Sequence, residues 1–436
     1  MGALLNKNIY LNYIVQVANT GVNFAYSLVI VRHLGAPAYG DYSIFYNAIA
    51  FSTLLLGFNL PSIIIFFIAN KKLDAWKLLL TSLTVILLAS VLLLTMLLFS
   101  DELHLSRHIF PGAVHKGLWI FFFVAMFFLL QVNQALQAYL NALRVFIPIA
   151  VFSMLCNIGL LVFWALIAAG MLQITAAPFD IIWWAAIGMN LVVLAYSAAL
   201  AIKKTAMPLQ WKLAGWQELR MIAGFAAIVY VCNTLQFLNY RMDIWFVNYY
   251  QGNADSGVYS LSLSLSQLVW VLPNAISGIL LNYFSVSHRR YSILTALNYG
   301  RLCFYSSLLT TGLLALVYYT AIPYFYGEAF RQSFTLCMIL FAGVIPFSLS
   351  IILANLNSGI GFVRLNLYAT LFTFVLGAVL DWFLIPSYGI IGAAWVKTGV
   401  YTAGLAFQFL AGHFYYQLPW ASIFKFPNWQ RIIKLK

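Results

Sequence analysis

Long apolar runs, separated by charged or Pro/Gly-containing breaks, fill nearly the whole chain. Each run is about as long as the roughly 20 residues that an α-helix needs to cross the hydrocarbon core of a bilayer. The polar intervals between them are too short to hold a soluble catalytic domain. The pattern predicts twelve transmembrane helices, at 9–31, 42–68, 78–99, 118–140, 146–169, 181–202, 226–250, 257–284, 302–322, 334–357, 366–385 and 389–412.

The composition supports lipid as the main solvent of the chain. Hydrophobic residues make up 64% of it and charged residues only 8%, with a mean hydropathy of +0.91. That is more apolar than a soluble domain. A net charge of +13 would favour a nucleic-acid partner in a soluble protein. Here the positive residues form short clusters between apolar runs, which is typical of orientation signals, so we expect no nucleic-acid partner.

The distribution of charge predicts the topology. Twelve crossings place both termini on one side of the membrane, and most of the 23 Lys and Arg residues lie on that side. Of the ten acidic residues, only Asp74 and Glu218 fall there. Because Lys and Arg are enriched on the cytoplasmic side of membrane proteins, we expect both termini in the cytoplasm.

A weak internal repeat divides the chain into two halves. The pattern Gly-x4-Gly-x-Tyr-Ser occurs at 35–43 and again at 252–260, at an offset of 217 residues. We expect an N-terminal six-helix bundle at 1–205 and a C-terminal one at 206–436. Six crossings per half make the halves parallel, so an axis along the membrane normal should relate them, with a substrate path between. The predicted fold class is therefore all-α, with two pseudo-symmetric bundles.

Two charged residues of the predicted seventh helix lie at membrane depth, where charge is costly and needs a reason. The repeat maps Asp243 onto Tyr26, well inside the outer half of the membrane. Arg241 and Asp243 are spaced i and i+2 and so do not share a helix face. We expect them to point at different partners or into a wet cavity. The alternative is a buried polar network that only packs helices.

Arg32 and Lys397 are further candidates for substrate binding. Arg32 closes the first predicted helix and is suited to bidentate contact with an anionic headgroup; an arginine that only marks the interface is the alternative. Lys397 lies eight residues into the last helix, and Asp381 is near the end of the preceding one. A structural pairing of Lys397 with Asp381 is the alternative to a role in binding.

Signatures of enzymes and of ATP-driven transport are missing from the sequence. It contains no Gly-x4-Gly-Lys-[Ser/Thr] phosphate loop and no Asp-x-Asp pair, which argues against ATP-driven transport and weakens a metal-assisted glycosyltransferase. The cysteines show no Cys-x-x-Cys pairing that would indicate a metal site. We expect a protein that is not an enzyme and holds no metal or cofactor.

The first predicted external turn resembles a family signature. Residues 31–43 read VRHLGAPAYGDYS, similar to the Arg-x-Leu-Gly-x-x-x-Tyr-Gly-x-Tyr pattern of Wzx-type polysaccharide repeat-unit flippases. These belong to the multidrug/oligosaccharidyl-lipid/polysaccharide (MOP) exporter superfamily, with the multidrug/toxic-compound extruders (MATE) and the lipid II flippase. Three further stretches resemble the family in order, at 243–260, 325–330 and 384–394.

The resemblance implies a V-shaped, MATE-like transporter of a bacterial inner membrane. Its substrate would be an undecaprenyl-diphosphate-linked oligosaccharide, the repeat unit of a lipopolysaccharide O-antigen, capsule or exopolysaccharide, moved to the periplasmic leaflet by alternating access. The candidate substrate-binding residues are Arg32, Arg241, Asp243 and Lys397. Asp243 is the candidate site for a coupling H+ or Na+. The expected partners are the lipid-linked glycan and membrane lipids, with a polymerase and a chain-length regulator as candidates.

Two alternatives stand beside the flippase. A cation-coupled drug or metabolite extruder of the same superfamily should favour an acidic cavity, whereas the membrane-depth residues here lean basic. A membrane-embedded enzyme of envelope assembly would need a compact catalytic cluster, and the sequence shows none. Lys397 departs from the family pattern, which usually has small or apolar residues at that point, so its role is open.

Overall fold

The computed structural model of the chain describes residues 2–69, 73–99, 116–143, 145, 147–172, 178–205, 213–286 and 288–417. In these ranges the chain is almost entirely helical and contains no strand. It divides into two compact units, Met1–Thr234 and Leu235–Lys436. The predicted boundary between 205 and 206 adjoins residues 206–212, which lie outside the described ranges, and it stays a prediction.

The helices of the first unit pack around its fourth one. They are α1 (Gly2–Leu56), α2 (Leu60–Ala69), α3 (Ala75–Leu98), α4 (Lys116–Ala142), α5 (Ile147–Ala168) and α6 (Pro178–Thr205). Helix α4 contacts α1, α2, α3 and α6, while α1 also packs along α5. The buried core therefore surrounds α4, which carries fully buried Phe122, Phe127 and Tyr139.

The second unit repeats this arrangement around α11. Its elements are α7 (Trp216–Gln251, whose first part belongs to the first unit), α8 (Asn253–Gln267), a 3-10 turn (Leu268–Trp270), α9 (Val271–Val286), α10 (Arg289–Ala321), a π turn (Ile322–Tyr326), a 3-10 turn (Glu328–Phe330), α11 (Gln332–Gly359) and α12 (Val363–Tyr416). Helix α11 contacts α8, α9, α10 and α12. Each unit thus has one central helix, the fourth span of its half.

Helices α1 and α12 each supply two membrane spans. At 1.5 Å per residue a straight helix of their length would measure about 80 Å, far more than a bilayer. Each instead contains one glycine with non-helical φ/ψ, Gly35 in α1 and Gly389 in α12. In α12 the arms fold back on each other, since a Cβ on Gly392 would lie 2.8 Å from the carbonyl oxygen of Leu384.

All twelve predicted spans coincide with helices of the structure, so the predicted fold class is confirmed. Seven described helices are long and apolar enough to cross a membrane, and the bent pair Ala18–Leu56 and Leu60–Ile68 makes an eighth. The folded α12 is one of the seven and contributes two crossings. Helix α7 and the pair α8–α9 are not among these eight. The chain is a multi-pass membrane protein.

The turns at the two copies of the repeat, 35–43 and 252–260, are tighter than the sequence predicted. The sequence predicted a turn over 32–41, but helix continues to Gly35 and resumes directly after it. Gly35 (φ 71°, ψ 174°) and Gly252 (φ 88°, ψ −175°) have nearly the same conformation. That region of φ/ψ space is open essentially to glycine alone. The 217-residue repeat is thus visible in the backbone as well as in the sequence.

The second span of each unit is interrupted just before a proline. In the first unit the break follows α1, where Phe58 (φ 45°) and Asn59 (φ 54°) are left-handed. In the second it is the 3-10 turn Leu268–Trp270. Pro61 and Pro273 lie immediately after the breaks. Pro346, by contrast, lies within a continuous α11.

Candidate functional site: a buried ion pair in the second unit

A buried ion pair joins α7 to α12. Lys397 Nζ lies 3.0 Å from Asp243 Oδ2, and the two residues are only 5% and 1% exposed. The same ammonium donates a hydrogen bond to the carbonyl oxygen of Asn239, at 2.7 Å. Because both partners of this pair are removed from solvent, breaking it would leave an uncompensated charge in a poorly hydrated region.

The spacing of α7 explains why Lys397 meets two acceptors at once. Asn239 and Asp243 are four residues apart and therefore lie on one face of the helix. The side-chain amide of Asn239 in turn donates to Thr373 Oγ1 at 2.6 Å and to the Thr370 carbonyl at 3.2 Å. This fixes α7 against the first arm of α12.

Tyr259 supplies a third contact, from α8. Its hydroxyl donates a hydrogen bond to Asp243 Oδ2, and its ring is fully buried. Asp243 lies nine residues before Gly252, and Tyr259 lies seven residues after it. At 1.5 Å per residue both lie about 10–14 Å from the turn, so the tight turn brings them to a similar depth.

Close packing on α11 holds the second arm of α12 in place. Thr398 Oγ1 donates to the Ile339 carbonyl at 2.8 Å. Gly343 allows this approach, because a Cβ there would lie 2.6 Å from Thr398 Cα. With Thr398 directed at α11, the adjacent Lys397 is left to face α7.

Asp381 lies beside the pair without joining it. Its side chain is 4% exposed, and Oδ1 is buried without a hydrogen-bond partner. Asp381, Asp243 and Lys397 line one small cavity. A structural pairing of Lys397 with Asp381 was one of the two alternatives left open by the sequence; the ammonium pairs with Asp243 instead. The reason is that α7 presents a carboxylate and a carbonyl together.

Arg241 behaves differently from Asp243, as their spacing predicted. It is half-buried, and within the described ranges it forms no hydrogen bond or ion pair. Beside it, Tyr240 joins an aromatic cluster in which Trp270 lies 4.9 Å from Phe347, and Phe347 lies 4.6 Å from Tyr401 between ring centroids. Arg241 is close enough to Tyr401 of this cluster to interact with it electrostatically, and a guanidinium without an ion-pair partner among the described residues is suited to an anionic ligand.

Arg32 lies in the other unit. It is exposed and precedes Gly35 near the end of the first arm of α1. The structure therefore brings Asp243 and Lys397 into direct contact and places Arg32 and Arg241 outside that contact. Sequence reasoning did not identify Asn239 and Tyr259 as partners of the pair. The i, i+4 spacing of Asn239 and Asp243 was the available signal.

Similarity to known proteins is structural. No protein-family model and no curated protein sequence matches the chain. A multidrug resistance MATE family transporter of the MOP superfamily, in an inward-facing conformation, superposes with a TM-score of 0.73 and 16% identity, covering 92% of this chain and 97% of that one. The MATE transporter VcmN of Vibrio cholerae, in a mutant form, gives 0.68 and 15%, covering 96% and 99%.

A flippase has the same fold. The lipid II flippase MurJ, in an inward closed conformation, superposes with a TM-score of 0.62 and 13% identity, covering 91% of this chain and 87% of that one. These matches cover both units, so the chain has a MATE-like fold. At such low identity the likeness establishes the fold alone.

Proposed function

We propose that this protein is a flippase that moves a lipid-linked anionic headgroup across the membrane by alternating access. The substrate is an undecaprenyl-diphosphate-linked oligosaccharide, the repeat unit of an O-antigen, capsule or exopolysaccharide. The fold supports the transport part of the proposal, because proteins described as multidrug transporters and as a lipid II flippase share it.

The pairing of charged residues in the second unit is the observation that favours an anionic substrate. Asp243 is neutralised by Lys397 at 3.0 Å. Arg241, two residues away, has no such partner in the described part of the chain. The group left to attract a ligand is thus positive. A guanidinium in low dielectric binds a phosphate bidentately and strongly, whereas a cationic drug would be repelled.

Roles can be assigned to the four predicted site residues on this basis. Arg241 binds the diphosphate, and Arg32, which is exposed near the first tight turn, is a second anion contact. Asp243 and Lys397 are closed to a large ligand by their burial. They support the α7 segment that carries Arg241 and would meet substrate only in a state that opens their pair.

The proposal includes the cellular location of the protein and its partners. The protein resides in a bacterial inner membrane with both termini in the cytoplasm, as the excess of Lys and Arg on that side supports. Its partners are membrane lipids and the lipid-linked glycan, with a polymerase and a chain-length regulator of the same pathway. Reporter fusions at each terminus test the orientation, and a periplasmic terminus would contradict it.

The second candidate is a cation-coupled multidrug or metabolite extruder. It is favoured by the higher TM-score of the multidrug transporter, 0.73 against 0.62 for the lipid II flippase. It predicts a cationic substrate attracted by carboxylates. The two carboxylates beside Lys397 are buried, and one is already neutralised, so this candidate is second.

Translocation in proteoliposomes tests the proposal. An undecaprenyl-diphosphate oligosaccharide is placed in one leaflet, and an added glycosidase reads its exposure in the other. We expect Arg241→Ala to lower the rate by tenfold or more and Arg241→Lys to keep part of it. Arg331→Ala is the matched control, because the Arg331 side chain is 71% exposed and pairs with Glu328 within its own turn. Efflux of a small cation without any flipping would favour the extruder instead.

A further inference from the structure

The small cavity beside the Lys397–Asp243 pair has a largely apolar lining that includes oxygen groups able to bind a cation. Its oxygen atoms are the carboxylates of Asp243 and Asp381 and the carbonyl of Asn239, with the Tyr259 hydroxyl directed at Asp243. Carboxylate and carbonyl oxygens are the ligands of hard cations. The cavity volume is about 10 Å³, roughly the space of one water molecule.

The Lys397 ammonium is a cation that already lies among these oxygens. The Lys397 ammonium lies 3.0 Å from a carboxylate oxygen and 2.7 Å from a carbonyl oxygen. A second full positive charge a few ångströms away would be strongly repelled in such a buried region. The ammonium therefore already holds two of the oxygen ligands that a sodium ion would require, and its charge opposes the entry of another cation.

The ionisable groups around the cavity do not sum to zero charge. Two carboxylates and one ammonium sum to −1 if all are ionised, and Asp381 receives no hydrogen bond from any described residue. Its charged neighbours on the packed elements are Asp243 of α7 and Lys397 on the other arm of α12, and Tyr259 of α8 is also close. An unpartnered buried carboxylate is too costly to persist, and one proton is the smallest ion that removes the cost.

We propose that Lys397 is the resident cation of this cavity, and that the cavity consequently exchanges one proton, at Asp381, and excludes sodium. Lys397 is thus a residue that determines ion specificity. Its link to substrate movement rests on the proposed function, whereas the binding of ions does not.

The first unit lacks the corresponding groups. At an offset of 217 residues, Asp243 corresponds to Tyr26 and Asp381 to Trp164. Both aromatic residues belong to one cluster in the first unit, with Trp164 only 1% exposed. The repeat therefore places carboxylates at these two positions in the second unit alone.

Thermal unfolding of the purified full chain in NaCl and in choline chloride tests ion specificity without any substrate. We expect equal unfolding temperatures in both salts for the wild type. In Lys397→Ala, two carboxylates lose their cation, and we expect sodium to raise the unfolding temperature by about 3 °C in a saturable way. Asp381→Asn in the same background should abolish that rise. Lys77→Ala, which removes an ammonium from a partly exposed pair, is the matched control and should show no response to sodium.

Stabilisation of the wild type by sodium over choline would overturn the proposal, and this measurement holds even if Lys397→Ala fails to fold. A folded Lys397→Ala with no response to sodium would also overturn it. In proteoliposomes, a pH gradient should accelerate transport by the wild type but not by Asp381→Asn, and a sodium gradient should affect neither. If no substrate is transported at all, the flippase proposal fails while the result in detergent still stands.

Discussion

Asp381 and Lys397 lie eight residues before and eight residues after Gly389, on opposite arms of α12, yet Lys397 pairs with Asp243. The fold-back at Gly389 brings the two residues to the same depth, and both line one cavity. The ammonium is drawn to α7 because a carboxylate and a carbonyl oxygen meet it there together. Asp381 is left as a buried acid that receives no hydrogen bond from the described residues, and the predictions for this cluster follow from that difference.

The two aspartates should respond differently to the same substitution. Asp243→Asn leaves the buried Lys397 ammonium without its ion-pair partner, and we expect it to lower the free energy of unfolding by about 3–5 kcal/mol. Asp381→Asn removes no ion pair or hydrogen bond, and we expect a loss below about 1 kcal/mol. Denaturant titration in detergent measures both. Equal losses would contradict the assignment of the pair.

The hydroxyl of Tyr259 should matter more than that of its repeat counterpart. Tyr259→Phe removes the hydrogen bond to Asp243, and we expect a loss of about 1.5–3 kcal/mol, typical of a hydrogen bond to a charged group. Tyr42 occupies the same repeat position, but there Tyr26 replaces the aspartate. Tyr42→Phe retains its stacking on Trp183 and should cost far less in the same unfolding assay. A larger loss for Tyr42→Phe would refute this reasoning.

The glycine of a tight turn should tolerate no side chain. Gly252→Ala forces a Cβ into a conformation that essentially only glycine adopts, at a cost of about 1–3 kcal/mol. Gly159→Ala is the control, because Gly159 lies within α5 with open space around its Cβ position and alanine favours helix by about 0.5–1 kcal/mol. The unfolding temperature should therefore fall in the first variant and hold or rise in the second.

The start of α7 should loosen in acid. Glu218 Oε2 lies 2.7 Å from Lys77 Nζ and accepts a hydrogen bond from the Gly215 amide at 2.7 Å. The Lys77 hydrogen bond, followed by that of Gly215, lowers the pKa of Glu218 below its ordinary value. Because the folded-state pKa is depressed, the contribution is present above the unfolded-state pKa and is lost as the pH falls through the folded-state pKa.

Hydrogen exchange of the 213–222 amides measures this loosening. We expect faster exchange in Glu218→Gln than in the wild type at neutral pH, and a smaller difference once the pH has dropped below the lowered pKa. Glu328→Gln, which removes an exposed pair with Arg331 elsewhere, should leave these amides unchanged. Identical exchange in Glu218→Gln and the wild type would show that the pair does not hold this segment.

Several features of the fold were predictable from sequence because lipid constrains them directly. A span must be apolar over about 20 residues, so the runs at 78–99 and 118–140 identify α3 and α4 with small errors at the ends. The repeat at 35–43 and 252–260 located two turns, since their conformation requires glycine.

The sequence by itself determined the number of spans, the tight turns and which charges lie at membrane depth, because each of these follows from local composition in an apolar solvent. Only the tertiary structure decided that Lys397 pairs with Asp243, and that among the described residues neither Asp381 nor Arg241 has a hydrogen-bond or ion-pair partner. A lysine side chain can reach several neighbours, and its choice depends on which acceptors three packed helices present within about 3 Å. That geometry is set by contacts such as Gly343 against Thr398, which no spacing along the chain encodes.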